Sequence, residues 1–228
     1  MKTPRAIAPG TYEVTVAAGM VGVPVTSPEG SRNPPQYAPQ TEVNTRFGLI
    51  TGLDLGFKAW SAGGEVNSTI SLVRSRPFDL AIAPSVGLQW NGGGLWEGHP
   101  VCPAGSTTCS LTPTGVELFA KVPVLAGIPL PFGHELVFGP EVVVVGAMES
   151  NAIINAFQDG GRAGVLAGGM AGVSIQLPHG MRLMPELTVL TPAVGFFTPP
   201  YAAMDSFGGR GAVVIEAAVG FSFGGGGA

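Results

Sequence analysis

The sequence predicts an all-β protein, an up-and-down antiparallel transmembrane β-barrel of about ten strands. Three observations predict it. Apolar and polar residues alternate along much of the chain, as in EVNSTISLVRSRPFDLAIAPSVGLQW at 65–90, and a two-residue period marks a strand with two unlike faces. Charged residues make up only 11% of the chain while apolar residues make up 45%, and the mean hydropathy is +0.36. Soluble domains carry roughly 25% charge, yet no run of about 18 apolar residues is present to form a spanning helix. Finally, the segments between strands alternate between short and long, as in a barrel with tight turns at one rim and long loops at the other.

The elements follow in order. Strands are expected at 11–23, 41–50, 53–61, 65–74, 79–90, 115–127, 135–147, 163–177, 181–190 and 212–223, most of them long enough to cross a membrane at a tilt. The short connections, 51–52, 75–78, 128–134 and 178–180, are mostly rich in Pro and Gly, as tight turns require. The connections 24–40, 62–64, 91–114, 148–162 and 191–211 fall at the other rim, and all but 62–64 are long. A short helix is expected at 150–157, with Ser150 as N-cap. The segments DLAIAPSVGL, ELVFGPEVVV and MRLMPELTVL repeat weakly and place Pro84, Pro140 and Pro185 at similar positions. Proline donates no ladder bond, so either a recurring bulge or a locally open ladder is expected there.

Projected onto two faces, one side of the strands collects Tyr12, Val16, Phe47, Phe57, Val66, Ile82, Val86, Phe138, Val144, Leu187, Phe221 and Phe223. The other receives Glu13, Glu42, Arg46, Asp54, Lys58, Glu65, Asp79, Glu117, Lys121, Glu141, Arg182, Glu186 and Glu216, together with many glycines. Arg74, beside a turn, breaks the rule. Small residues suit the crowded inside of a narrow barrel. A soluble β-sandwich would show the same alternation, with the apolar side as its core; low total charge and the loop asymmetry favour the membrane barrel over it.

The net charge is −4 with a pI near 5.3, and the 11 Lys and Arg residues are scattered, so nucleic acid is not an expected partner. The opening residues MKTPRAIAPGTYEV carry no secretory leader, and a mature exported chain is expected.

The hairpin pattern, the short turns and the aromatic-ended last strand VVIEAAVGFSF resemble small outer-membrane β-barrel proteins of Gram-negative bacteria. The resemblance is one of architecture over nearly the whole chain and singles out no subfamily. It implies a bacterial outer-membrane location, with 1–10 as an N-terminal periplasmic segment, 11–223 as the barrel and 224–228 as a glycine-rich tail. In that family the last strand usually ends on an aromatic that the insertion machinery reads; Phe221 and Phe223 match in character, although GGGGA follows them here.

Candidate sites are few. The inner charges Glu13, Glu42, Arg46, Lys58, Glu117, Lys121, Glu141, Arg182, Glu186 and Glu216 are expected to form a salt-bridge network that holds the lumen shut, each cation shared among carboxylates. Buried ions must be paired or wetted, and a narrow, weakly cation-preferring pore is the other reading. Cys102 and Cys109, with six residues between them in the longest loop, are expected to form a disulfide in an oxidising exterior. A zinc site would need further ligands, and only His99 is near. His134 and His179 fall at the opposite rim from His99, which removes most histidine-based catalysis, so no catalytic residue and no cofactor is expected. Phe196, Phe197, Tyr201 and Phe207 form an aromatic loop, either an interfacial girdle or a docking surface.

The expected role is therefore a non-enzymatic scaffold or interaction protein with a largely occluded polar lumen. Outer-membrane lipid surrounds it, and other envelope proteins meet its external loops. A passive pore for small solutes and a soluble extracellular sandwich are the alternatives.

Overall fold

The computed structural model describes residues 3–23, 36–61, 63–75, 77–91, 115–149, 162–196 and 214–226. Eleven strands are present: β1 (Thr11–Val23), β2 (Gln36–Ile50), β3 (Leu53–Trp60), β4 (Gly63–Arg74), β5 (Asp79–Ile82), β6 (Ser85–Asn91), β7 (Gly115–Pro129), β8 (Glu135–Glu149), β9 (Arg162–Gln176), β10 (Arg182–Phe196) and β11 (Val214–Gly226). Every pairing is antiparallel, between strands adjacent in the chain apart from the split at β5 and β6, and β1 pairs with β11, for example Val16 opposite Phe221. The sheet thus closes on itself. Because β5 and β6 lie end to end between β4 and β7, the eleven strands make ten staves. Closure removes every free sheet edge, which is the condition for burying strands in hydrocarbon.

The break between β5 and β6 falls at Ala83-Pro84, and its cause is the missing N–H of the proline. The register across it is unchanged, since Asn67 faces Ser85 and Ile70 faces Ile82. Neighbouring bonds bridge the gap: Ser68 N–H donates to the Pro84 carbonyl at 3.0 Å, and Ala83 N–H donates to the Pro123 carbonyl at 3.0 Å. Pro140 and Pro185 behave alike, each beside a short unpaired stretch with constant register in the β7–β8 and β9–β10 ladders. The repeated prolines therefore open the ladder locally and make no bulge.

The true bulges lie elsewhere, and one of them explains Arg74. Ser71 faces Ala81 and Val73 faces Leu80, leaving Leu72 as the extra residue. The insertion reverses the parity of the strand, so Arg74 falls opposite the inward-facing Asp79. Its guanidinium reaches the lumen and donates to the Ala6 carbonyl at 3.1 Å.

The walls are longer than the sequence implied. β2 begins at Gln36, β10 runs on to Phe196, and the glycines expected as a tail complete β11, with Gly224 facing Glu13 and Gly226 facing Thr11. A strand of 15 residues spans about 50 Å along its axis, so even a tilted stave extends beyond an apolar band about 25 Å tall. The turns Pro131–Gly133 and Pro178–Gly180 are 3-10 turns of one design, Leu-Pro-X-Gly, with Phe132 and His179 both at φ 62.

Exposure decides between barrel and sandwich. Phe57 is 52% exposed, Val86 60% and Val144 49%, whereas Arg46 is 2% and Asp54 0% exposed. The apolar face points out all round the cylinder and the ionisable face points in. That arrangement overturns the soluble-sandwich alternative, because water would meet the belt and the charges would have no reason to be buried. The chain is a transmembrane β-barrel of the bacterial outer-membrane type.

Candidate functional site

The site that folding builds is the lumen, which is filled in layers. At the turn end the occupant is the chain's own N-terminus. Residues 3–8, which have no strand period, turn back at Pro9-Gly10 and enter the barrel. Gly10 adopts φ 73, a conformation costly for any residue with a side chain, and its N–H donates to the Gly48 carbonyl at 3.0 Å. The segment expected to precede the barrel thus lies inside its turn-end mouth.

Wall side chains hold this strap. Ile7 N–H donates to Asp54 Oδ2 at 3.0 Å, and Ala6 N–H donates to Ser71 Oγ at 3.0 Å. The Ser71 hydroxyl donates to the Pro4 carbonyl, and Arg46 donates to the Arg5 carbonyl and, at 3.5 Å, to the Thr3 hydroxyl. The Arg5 guanidinium donates to Asp79 at 2.5 Å and lies 3.7 Å from Glu135. The hydrogen bond to Asp79 holds the Arg5 pKa above its ordinary value, against the lowering effect of burial.

Asp54 and Arg46 form the hub of the layer. Asp54 Oδ2 accepts from Arg46 Nη2 at 2.5 Å as well as from Ile7, and Oδ1 accepts from the Thr69 N–H at 3.1 Å and Arg46 Nε at 3.4 Å. Arg46 also donates to Thr69 Oγ1 and reaches Glu13 at 3.3 Å. Both charges are buried yet richly bonded, the condition under which burial is tolerated.

The middle layer is divided. On the β2–β4 side the Asn67 amide donates to Asn44 Oδ1 at 3.2 Å. On the opposite side Ala83, Leu125, Val137 and Met170 form an apolar cluster. The expectation of a largely occluded polar lumen is thus qualified, since part of this level is packed like a soluble core.

Above it, Lys58 lies 3.1 Å from Glu42 and 3.9 Å from Glu65, which Lys121 also approaches at 3.9 Å. Trp60 and Phe119 close the layer with ring centroids 6.0 Å apart, Lys58 sitting over Trp60 and Lys121 over Phe119. Small voids among the described residues include two with room for about one water molecule each (≈ 10 Å³). Thr3, Met184 and Glu186 line one; Gln40, Glu42 and Glu216 line the other.

Of the predicted network, Glu13, Glu42, Arg46, Lys58 and Lys121 come together in ion pairs. Glu141 is buried and engaged, Glu186 and Glu216 line voids, and Glu117 stands in β7 with its side chain outside the described residues. Arg182 departs from expectation, because its guanidinium bonds Gln176 Oε1 at 3.3 Å and, among the described residues, meets no carboxylate within ion-pair distance. Arg5 and Glu135 were missed: the first belongs to an aperiodic segment, the second to a turn boundary. Phe196 ends β10, and Cys102, Cys109, His99, Phe197, Tyr201, Phe207 and the helix expected at 150–157 lie outside the described residues. Among the described residues no three His, Cys, Asp or Glu side chains are grouped to hold a metal ion.

No family model and no curated protein matches the sequence. Solved structures with a similar architecture include Ail, the attachment invasion locus protein of Yersinia pestis (9% identity, covering 95% of this chain and 99% of that one, TM-score 0.35). Others are the outer membrane protease OmpT of Escherichia coli (7% identity, 98% and 100%, TM-score 0.42) and the beta domain of the Bordetella autotransporter BrkA (12% identity, 95% and 99%, TM-score 0.44). At these scores the likeness is one of architecture.

Proposed function

We propose that this barrel is a closed, non-enzymatic scaffold of the outer membrane that meets other envelope proteins through its external loops. The observation that carries the proposal is the internal strap: residues 3–8 occupy the turn-end mouth and bond to Arg46, Asp54, Ser71, Arg74 and Asp79. The apolar cluster and the Lys58–Trp60 layer stand above it, so a solute entering from either rim meets packed side chains. The two described histidines, in turns, add no acid–base group to the lumen.

Conductance tests the closed lumen. Purified protein reconstituted in planar bilayers is expected to show no reproducible open steps. Steady unitary currents with cation preference would instead assign the chain to the narrow-pore reading, for which the carboxylates Glu42, Glu65, Glu141 and Glu216 are the favourable feature. Gentle extraction from the native membrane then identifies what the loops hold; a chain that always emerges alone speaks against a scaffold.

A further inference from the structure

We infer that the turn-end mouth of the lumen is a binding site for an extended, arginine-bearing peptide, which the chain fills with its own residues 3–8 as a tethered and replaceable ligand. The bonding pattern is the first reason. Residues 3–8 make no ladder with any strand; apart from the Thr11 N–H, which donates to the Ala8 carbonyl where the strap turns into β1, the described hydrogen bonds of their main chain to the wall all involve wall side chains. The main-chain groups of Pro4, Arg5, Ala6 and Ile7 are each addressed in turn, by Ser71, Arg46, Arg74 and Ser71, and Asp54. This is how a groove reads an extended peptide, through its main chain, with one pocket supplying specificity.

The pocket is the second reason. Asp79 and Glu135 come from β5 and β8 and are both buried, and Arg5 places one guanidinium between them. Glu135 Oε1 is buried and has no hydrogen-bond partner of its own, so the cation in this pocket, with Arg182 farther off, helps offset the burial of the two carboxylates. The wall is also shaped for its occupant: a side chain at Gly127 would strike Pro4, and one at Gly48 would strike the Ala8 carbonyl. Gly10, at φ 73, sits at the rim between strap and β1 and is the natural hinge. A tether of this length presents its ligand at an effective concentration on the order of millimolar, so free peptide at micromolar concentration does not displace it from the wild-type chain.

The test uses the full chain with Arg5→Glu, which sets a third carboxylate beside Asp79 and Glu135 and expels the strap. The probe is a synthetic fluorescein-labelled peptide of sequence TPRAIAPG. Strap release is read separately as maleimide labelling of Ala6→Cys, placed in both backgrounds. In the wild-type background this thiol is expected to be protected and the peptide not to bind. In the Arg5→Glu background labelling should be about tenfold faster or more, and the peptide should bind saturably, while a peptide with glutamate in place of its arginine should not. If Arg5→Glu does not reach the heat-modifiable folded form, deletion of residues 3–8 replaces it with the same expected binding. A folded barrel with its strap released that fails to bind the peptide overturns the inference. So does equal labelling in the two backgrounds. Conductance is a separate readout, because the Lys58–Trp60 layer stands whether or not the strap is seated.

Discussion

Replacing Asp54 with alanine is expected to destabilise the barrel by about 3–5 kcal/mol, the cost of breaking a buried ion pair and leaving its partner without compensation. Asp54 is fully buried and its two oxygens accept from four donors: the Ile7 and Thr69 N–H groups and two nitrogens of Arg46. Without it, the Arg46 guanidinium keeps Glu13 at 3.3 Å and the Thr69 hydroxyl, but loses its shortest bond, and the buried Thr69 N–H and part-buried Ile7 N–H lose their acceptor. Asp54→Asn keeps the size and one acceptor oxygen and should lie between wild type and Asp54→Ala. The combined variant Asp54→Leu, Arg46→Met removes both charges and should be less damaging than Asp54→Ala alone, since a buried pair exchanged for apolar groups is often near neutral. Urea titration of folded protein in lipid vesicles, read by tryptophan fluorescence, measures each. A loss below about 1 kcal/mol for Asp54→Ala would place the pair among those that contribute little.

The same hub ties stability to the strap. Asp54 accepts from Ile7, and Arg46 donates to the Arg5 carbonyl and the Thr3 hydroxyl. The network that stiffens the β2–β4 wall is therefore also the network that seats residues 3–8. In a narrow barrel these two demands converge, because any charged group placed inside must find its partners within the same few ångströms.

The inside–outside assignment was legible because a two-residue period survives wherever one face meets hydrocarbon. Phe57, Ile82 and Val144 alternate with Gly56, Ala81 and Val143, and the structure keeps that parity. Arg74 was legible as an exception but not as to cause, since an inserted residue at Leu72 leaves no compositional trace. The strap was not legible at all. It has no period, Pro4 and the following Pro9 resemble a linker, and the wall side chains that hydrogen-bond residues 3–7 stand 41 to 74 positions away in the chain. The apolar cluster in the lumen was hidden for a different reason. Leu125, Val137, Val143 and Met170 share the inward parity of Lys121, Glu135, Glu141 and Ser174, and a polar or charged residue nearby on the same face marks that face as polar more strongly than a methionine marks it as core.

Val86→Arg is the sharpest test of what touches the belt. Val86 is 60% exposed near the middle of its stave, opposite Val66 on β4 and Ala120 on β7, and it points away from the lumen. In water an arginine there would be nearly neutral, because a surface position tolerates charge. In hydrocarbon it is expected to cost about 2–4 kcal/mol, falling to about 0–1 kcal/mol near the interface. Ile128→Arg, on an outward position beside the Pro131–Gly133 turn, supplies the interfacial comparison, and Val86→Leu supplies the apolar control. Folding into vesicles across a urea series should rank them Val86→Leu near wild type, then Ile128→Arg, then Val86→Arg. Equal costs for the two arginines, or no cost for either, would mean that the apolar face of this cylinder is not in contact with lipid. The lumen offers no escape for the new charge either. The residues flanking Val86, Ser85 and Gly87, already face inward, and any side chain at position 87 would collide with Phe119 and Glu65, so the guanidinium must reach water by snorkelling along the outer wall past Leu88 or Ile82.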